Sequence, residues 1–247
     1  MPRPAAGSKY IEPFLGGGAV FFALRPTRSV LSDANAELVE TYEAVREEVE
    51  EVIRFLKRLE HDEESYYRVR KSRPYTRASR AARFIYLNKT CFNGLYRVNT
   101  DGDFNVPFGK HGPKLLVCDT DQLRAASKTL QAATLVSDDF GAIIRRAHSG
   151  DLVYLDPPYT TAHSNNGFIE YNAKVFSWED QSRLANLALG LVRRNIRVAV
   201  SNADHKSIRD LYDHNEFTIH RIKRASTMAG SAAARFAAVE LLIVGGG

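Results

Sequence analysis

The sequence predicts an α/β fold with a mostly parallel sheet and helices on both faces. Short apolar segments alternate with helical patterns along most of the 247 residues, as in sheets built from strand–helix units. The first apolar segment runs into three glycines at 16–18, and Asp33 ends the second. Another is cut off by Pro157 and Pro158. Because ligands of such sheets bind outside the carboxyl ends of the strands, these residues are candidate site residues.

The strands and helices follow from periodicity and from glycine and proline positions. Five segments are predicted as strands of the sheet: Lys9–Phe14, Ser29–Asp33, Thr134–Ser137, Leu152–Asp156 and Arg197–Ser201. Two more, Phe217–Ile222 and Ala237–Val244, are predicted to close the sheet as a hairpin. Helices are predicted over Gln122–Gln131 and Glu179–Arg194. Apolar residues at three- and four-residue steps predict one long helix over Glu37–Glu64, with a solvated acidic face.

Composition narrows the class of protein. Apolar residues make up 44% of the chain and charged residues 26%, which excludes a disordered tail, a collagen-like fibre and a disulfide-stapled miniprotein. Cys91 and Cys118 are the only cysteines, and the histidines lack metal-ligand spacing, so neither a disulfide framework nor a metal site is expected. No apolar stretch approaches the roughly 20 residues of a membrane helix. We therefore expect a cytoplasmic protein without a membrane partner.

A basic segment interrupts the strand–helix pattern. Residues 65–97 contain no Asp or Glu, and aromatic side chains are interleaved with their lysines and arginines. A solvated helix face is the alternative interpretation, but this pattern favours a surface that binds a polyanion. Asp101-Gly102 then predicts a tight hairpin. We therefore expect an inserted helical domain with a β-hairpin at residues 46–117, and a sheet domain formed by residues 1–45 and 118–247.

The glycine segment after the first strand is typical of nucleotide-binding turns. Glycine lets the backbone turn sharply and lets a ligand lie against it. Asp33, at the end of the next strand, is placed to accept hydrogen bonds from ribose hydroxyls. A glycine-rich turn that only caps a helix remains the alternative. The pattern also does not separate a dinucleotide from another adenosine cofactor.

The second candidate segment is Asp156-Pro157-Pro158-Tyr159. An apolar strand delivers a carboxylate to the edge of the sheet, and the prolines fix the backbone that follows. Carboxylate and carbonyl oxygens aimed in this way can accept two hydrogen bonds from an amino group, and the tyrosine ring can stack on a planar base. The alternative is a strand that simply ends in a proline-rich turn.

Six segments in this order resemble the S-adenosylmethionine-dependent DNA N6-adenine methyltransferases of the Dam type, in the D12 class. The segments are Glu12–Gly18, Asp33 with Asn35, Leu87–Arg97, Gly102–Gly109, Asp156–Tyr159 and Val200–Asn202. The resemblance spans roughly residues 9–244. It implies a Rossmann-like methyltransferase sheet with an inserted DNA-recognition domain, S-adenosylmethionine as cofactor and double-stranded DNA as partner. It also implies a short target site, for which the family suggests GATC, and restriction-modification as one possible biological role.

The resemblance also implies residue roles. The cofactor would be bound by Glu12, Phe14, Gly16, Gly18, Asp33, Asp139, Phe140 and Asp156, with Asp33 on the ribose and Asp139 and Phe140 at the adenine. Asp156 and Pro157 would hold the amino group of the target adenine, and Tyr159 would stack on the flipped base. DNA would be contacted by Lys89, Phe92, Asn93, Arg97, Asn105 and Pro107, with Phe92 as a wedge and Arg97 reading a guanine.

Two departures from the family pattern leave alternatives open. A Trp-Ala-Gly-Gly-Lys-like segment that closes over the cofactor in the family has no counterpart in the eight residues before Lys9. The chain would then begin late, bind the cofactor more weakly or cover the site differently. The loop Ser226–Arg235 lacks expected phosphate contacts. A methyltransferase acting on RNA adenine or on cytosine N4 is one alternative, although Asp156 favours adenine; a weakly active DNA-binding relative is the other.

Overall fold

The computed structural model describes residues 3–109, 115–160, 176–224 and 238–246. They form two compact units, which we call the sheet unit, residues 1–34 and 132–247, and the helical unit, Asn35–Gln131. The division therefore lies at 34/35 and 131/132, whereas the sequence predicted breaks at 45/46 and 117/118. The loop Ser226–Arg235 lies outside the described residues.

The sheet unit contains a seven-stranded, mostly parallel sheet in the described residues. Its strands are β1 (Tyr10–Glu12), β2 (Ser29–Ser32), β3 (Ala133–Val136), β4 (Leu152–Leu155), β5 (Arg197–Ala203), β6 (Phe217–Arg224) and β7 (Ala238–Gly245). Their order is β3-β2-β1-β4-β5-β7-β6, with β1 to β5 parallel and β7 antiparallel to both β5 and β6. The predicted α/β fold and the closing hairpin are confirmed.

The described residues include nine α-helices. They are α1 (Ala19–Leu24), α2 (Ala36–Glu47), α3 (Val49–Leu56), α4 (Glu63–Lys71), α5 (Arg77–Thr90), α6 (Thr120–Leu130), α7 (Phe140–Ile144), α8 (Trp178–Arg193) and α9 (Lys206–Leu211). Among them, none is both long and apolar enough to cross a membrane. The helical unit holds α2 to α6, and both α2 and α6 pack within it, which is why the unit extends beyond the predicted insert.

Burial explains the position of the strands. All four residues of β4 are buried, as are all residues of its neighbour β1 and of β2, the next strand beyond β1. A strand that is buried on both faces has a continuous run of apolar residues in its sequence, as Leu152–Leu155 has. The carboxyl ends of β1, β2, β3, β4 and β5 therefore lie along one edge of a rigid sheet.

The single long helix predicted over residues 37–64 is wrong. The structure divides it into α2, α3 and the start of α4, with a break at Glu48, whose φ of −131° and ψ of 33° are not helical. The break lets α2 and α3 both pack against α5, which one straight helix over this length does not do. A second break precedes α4, where the Asp62 carboxylate accepts a hydrogen bond from the Ser65 N–H at 2.8 Å.

The acidic face of α2 is not simply solvated, contrary to the sequence-based expectation. Arginines of α5 pair with it: Arg77 with Glu47 and Glu48, Arg80 with Glu40, and Arg83 with Glu37. These ion pairs neutralise part of the positive charge of residues 65–97, which the sequence had suggested would bind a polyanion. Charge patterns along a sequence do not show which blocks of opposite sign fold against each other.

The predicted chain reversal at Asp101-Gly102 is present. Gly102 has a φ of +82°, which favours glycine, and the Asn99 N–H donates to the Asp103 carbonyl at 2.9 Å. The two sides pair through a bridge of Val98 with Phe104 rather than through extended strands. The reversal is therefore a short hairpin held by isolated bridges.

Candidate functional site

The glycine bend lies at the carboxyl end of β1, beside the end of β2. Leu15 N–H donates to the Ser32 carbonyl at 2.8 Å, which joins the bend to the neighbouring strand. Gly16 and Gly18 have φ values of +45° and +64°, in the left-handed region that favours glycine. The Gly16 N–H donates to Asp33 Oδ2 at 3.0 Å. The structure thus brings Asp33 against the bend, as the spacing predicted.

The surface of this bend is open. A Cβ atom added at Gly16 or Gly17 would meet no other atom within 4 Å. Both residues are exposed, whereas Gly18 is buried where the chain enters α1. An exposed backbone next to a carboxylate is a chemical environment that fits the ribose and amino acid parts of an adenosine cofactor.

An aromatic cluster, formed by Phe14, Phe140 and Phe176, lies next to the bend. The ring centroids of Phe14 and Phe140 are 5.3 Å apart, and Phe14 meets Phe176 edge-on at 5.5 Å. Phe140 is buried and Phe14 is half-buried. The cluster therefore connects the end of β1 with the start of α7, and its half-buried member is one of the residues expected to contact the cofactor.

Asp139 is exposed and ion-paired. Its carboxylate caps α7 by accepting the Gly141 N–H at 2.9 Å, and it also accepts a hydrogen bond from Arg183 Nη1 at 3.1 Å. The guanidinium carbon of Arg183 lies 4.3 Å from the centroid of the Phe140 ring. Hydrogen bonding to Arg183 lowers the pKa of Asp139. Arg183 thus holds Asp139 and Phe140 together, a partner that the sequence analysis did not identify.

Two carboxyl groups in different environments lie at the carboxyl ends of β1 and β4. Glu12 is 2% exposed and its Oε2 accepts a hydrogen bond from the Tyr10 hydroxyl at 2.8 Å. Asp156 is exposed at the end of β4. Burial and the nearby charge of Asp156 raise the pKa of Glu12 to about 8. Below a pH of about 8, this raised pKa keeps a proton on the buried Glu12, close to the accessible carboxylate of Asp156.

The segment after Asp156 is anchored at several points. Pro157 is buried, and the hydroxyl groups of Tyr159 and Ser201 lie 3.1 Å apart. The buried Thr160 hydroxyl donates to the Phe176 carbonyl at 2.7 Å, and Gln181 Nε2 donates to the Pro158 carbonyl at 3.1 Å. Residues 158–160 of the segment are thus held by Gln181 of α8, Ser201 of β5 and the Phe176 carbonyl.

In the helical unit, the loop after α5 meets the segment after the hairpin. The Phe92 N–H donates to the Pro107 carbonyl at 2.9 Å, and the backbones of Cys91 and Phe108 form an isolated antiparallel β-bridge. Phe92 is 49% exposed, unusual for a phenylalanine, and Asn93, also exposed, has a φ of +54°. The structure therefore brings Phe92, Asn93 and Pro107 to one surface.

Arg97 lies on the same part of the helical unit. Its Nε donates to Asn105 Oδ1 at 2.8 Å, so Asn105 orients the guanidinium. The Lys89 Nζ donates to the Leu116 carbonyl at 3.2 Å. Five of the six residues expected to contact DNA thus fall into two sets, Phe92 and Asn93 with Pro107, and Arg97 with Asn105.

Sequence reasoning missed Phe176, Gln181 and Arg183. Gln181 carried a signal: it falls on the apolar stripe of α8, one turn before the buried Leu184 and Ala185. A polar residue at a core position of a helix indicates a specific hydrogen-bond partner. In the part of the chain that the structure describes, no three His, Cys, Asp or Glu side chains are grouped to hold a metal ion.

A parallel sheet with an open glycine bend after β1 and an acidic diproline segment after β4 defines an α/β methyltransferase fold. Comparison with known families agrees. The family model described as "D12 class N6 adenine-specific DNA methyltransferase" matches residues 1–228. The chain belongs to this family and is an adenine-specific DNA methyltransferase of the D12 class.

Curated relatives agree with the family. The chain is 33% identical to the "Type II methyltransferase M1.LlaDCHI" of Lactococcus lactis subsp. cremoris, over 97% of this chain and 87% of that protein. It is 36% identical to the "Type II methyltransferase M.MjaIII" of Methanocaldococcus jannaschii, over 79% and 73% of the two chains. It is 32% identical to the "DNA adenine methylase" of Escherichia coli K12, over 91% and 82%. The resemblance inferred from the sequence is therefore confirmed.

Proposed function

We propose that the protein transfers a methyl group from S-adenosylmethionine to N6 of an adenine that has been rotated out of a short site in duplex DNA. One observation supports this most directly. An accessible carboxylate, Asp156, stands at the carboxyl end of β4, and a buried proline fixes the backbone immediately after it. The open glycine bend lies at the end of the adjacent strand β1.

Asp156 and Pro157 would bind the target amino group. The nitrogen lone pair of adenine N6 is delocalised into the ring, so the amino group is a poor nucleophile. Hydrogen bonds from its two N–H groups to the Asp156 carboxylate and the Pro157 carbonyl favour a pyramidal nitrogen with a directed lone pair. When bound, S-adenosylmethionine supplies a methyl group already activated on a sulfonium. Positioning alone contributes about 7–11 kcal/mol in well-oriented reactions.

The target base is inaccessible inside a duplex and has to leave the stack, which costs a few kcal/mol. Tyr159, half-buried and hydrogen-bonded to Ser201, is proposed to stack on the extruded base. Phe92, with its half-exposed ring, is proposed to fill the space that the base leaves in the helix. Asn93 and Pro107 lie beside that ring and would contact the backbone and neighbouring bases.

The proposal is tested with purified protein, labelled S-adenosylmethionine and plasmid from a host without DNA methylation. We expect label in DNA as N6-methyladenine. Label as N4-methylcytosine, or in RNA only, would contradict the proposed substrate, and a DNA mobility shift without label at high cofactor concentration would indicate a binding protein. Sequencing of the labelled sites then shows whether they are GATC.

Arg97 is proposed to read a guanine of the site. Its guanidinium is exposed and is oriented by Asn105. We expect Arg97→Ala to reduce discrimination at one guanine by about 1–3 kcal/mol, since a bidentate arginine–guanine contact is lost. The measurement is kcat/KM on duplexes that carry each base at each position of the site.

A matched control for Arg97 is Arg54→Ala, which removes an exposed arginine paired within α3. It should leave the base preference unchanged. If Arg97→Ala methylates the same sites with the same ratios as the unsubstituted protein, the guanine-reading role is wrong.

A further inference from the structure

Gln181 is a buried amide in the first turns of α8. Its exposed fraction is 0%, and the other buried residues of this helix are Leu184, Ala185, Ala188 and Leu191. Burying an amide among apolar side chains is unfavourable unless both its donor and its acceptor are hydrogen-bonded. The position therefore demands specific partners.

Both ends of the amide have a partner. Gln181 Nε2 donates to the Pro158 carbonyl at 3.1 Å, and Gln181 Oε1 accepts from Asn202 Nδ2 at 3.2 Å. Asn202 is also 0% exposed, and its Oδ1 accepts the Ala203 N–H at 2.9 Å. A chain of hydrogen bonds thus runs from the diproline, through α8, to the backbone of β5.

The Gln181 contact restrains the one backbone torsion angle of the diproline that the proline rings do not restrict. Proline rings restrict φ at Pro157 and Pro158. A following proline restricts ψ as well, which applies to Asp156 and Pro157. The ψ angle of Pro158 is not restricted in this way, because the residue that follows it, Tyr159, is not a proline. That angle sets the direction of the Pro158 carbonyl, and this is the atom that Gln181 binds.

The other anchors act further along the chain. Thr160 binds the Phe176 carbonyl, and Tyr159 contacts Ser201. Both fix residues that follow the diproline. Gln181, by contrast, contacts the diproline itself, and Asn202 holds its amide in the orientation that presents the N–H group.

We propose that Gln181, oriented by Asn202, is a positioning residue for methyl transfer: it locks the Asp156–Tyr159 segment in the geometry that presents the Asp156 and Pro157 acceptors to the target amino group. The proposal rests on the proposed function of that segment. It assigns to Gln181 an effect on the rate of the chemical step, with little effect on binding of cofactor or DNA.

The test is Gln181→Met, which keeps the size and shape of the side chain but removes both hydrogen bonds. We expect the single-turnover methylation rate to fall about 10- to 100-fold, the scale of a small misplacement of reacting groups. Cofactor affinity, measured by titration calorimetry, and affinity for a duplex with 2-aminopurine at the target should change less than about twofold. Gln122→Met, an exposed glutamine in α6, is the matched control.

A residue that only stabilises the fold would lower the melting temperature without changing the rate per cofactor-binding site. An unchanged single-turnover rate in folded Gln181→Met therefore overturns the proposal. If that variant does not fold, Gln181→Glu decides, because it has the same shape. Its rate relative to the unsubstituted protein should fall as the pH is raised, since the ionised carboxylate cannot donate to the Pro158 carbonyl. A ratio that stays at one at a pH where the introduced carboxylate is ionised overturns the proposal.

The unsubstituted protein in the same assay separates this inference from the proposed function. If it places no methyl group on adenine in DNA, the proposed function fails whatever the variants do. If it does and Gln181→Met matches it, only the positioning role fails.

Discussion

Asp156→Ala should lower the rate of methyl transfer by at least about 100- to 1,000-fold, the loss seen when one preorganised hydrogen-bonding group is removed from an active site. Asp156 is exposed, so its removal leaves no cavity in the core. Folding and DNA affinity should therefore be largely retained. The measurement is the single-turnover transfer of label to a duplex, together with a DNA-binding isotherm and a melting curve for the same sample.

The control for this variant is Asp213→Ala. Asp213 is an exposed aspartate between α9 and β6, away from the carboxyl ends of β1 and β4. It should transfer methyl groups at the unsubstituted rate. Asp156→Ala turning over normally would show that the carboxylate is not an acceptor for the target amino group, and failure to fold would show that Asp156 has a structural role instead.

The strands of the sheet were predictable from the sequence because burial on both faces leaves an apolar run with clear ends. Leu152–Leu155 illustrates this, since Asp151 precedes the run and Asp156-Pro157 follows it. The position of Asp33 next to the glycine bend was predictable for the same reason. Carboxyl ends of parallel strands share one edge, so residues distant in sequence meet there.

The helical unit was less predictable because its features depend on tertiary pairing. The periodicity over residues 37–64 continues through Glu48, where the backbone leaves the helix and the carboxylate pairs with Arg77. Periodicity reports which face is apolar, and it does not report where packing on α5 bends the chain. The same holds for the acidic and basic blocks, which pair with each other in part.

The sequence predicted the hydrogen-bond acceptors of the candidate site. It did not predict the side chains that hold the residues of the site in place. Arg183 and Gln181 lie in α8, far along the chain from Asp139 and Pro158. A single polar residue on an apolar stripe shows that a partner exists without showing which one. Only the fold identifies the Pro158 carbonyl as that partner.

The second large predicted effect concerns Glu12, and it is an effect on the free energy of unfolding rather than on the rate of methyl transfer. It is almost fully buried at the end of β1, and burial and the charge of Asp156 raise its pKa from the ordinary 4.5 to about 8, although the hydrogen bond from Tyr10 opposes the rise. At neutral pH the folded protein therefore holds a proton on Glu12 that the unfolded chain has released.

The sign of the pH dependence follows from this difference. Between pH 4.5 and about 8 the folded state binds more protons at Glu12 than the unfolded state, so the free energy of unfolding falls as the pH rises through this window. The contribution is fully present below the unfolded pKa and is lost once the pH passes the folded pKa. A pKa difference of this size corresponds to about 4–5 kcal/mol.

Glu12→Gln should remove this loss, because glutamine fills the same space, accepts the Tyr10 hydrogen bond and never ionises. We expect the variant to gain about 4 kcal/mol in free energy of unfolding over the unsubstituted protein as the pH is raised from about 5 to about 8. Urea unfolding at each pH measures it, with Glu179→Gln, an exposed glutamate of α8, as the control. Parallel curves for Glu12→Gln and the unsubstituted protein would mean that Glu12 is ionised in the folded state, and that Asp156 stands beside a second negative charge rather than a neutral carboxyl.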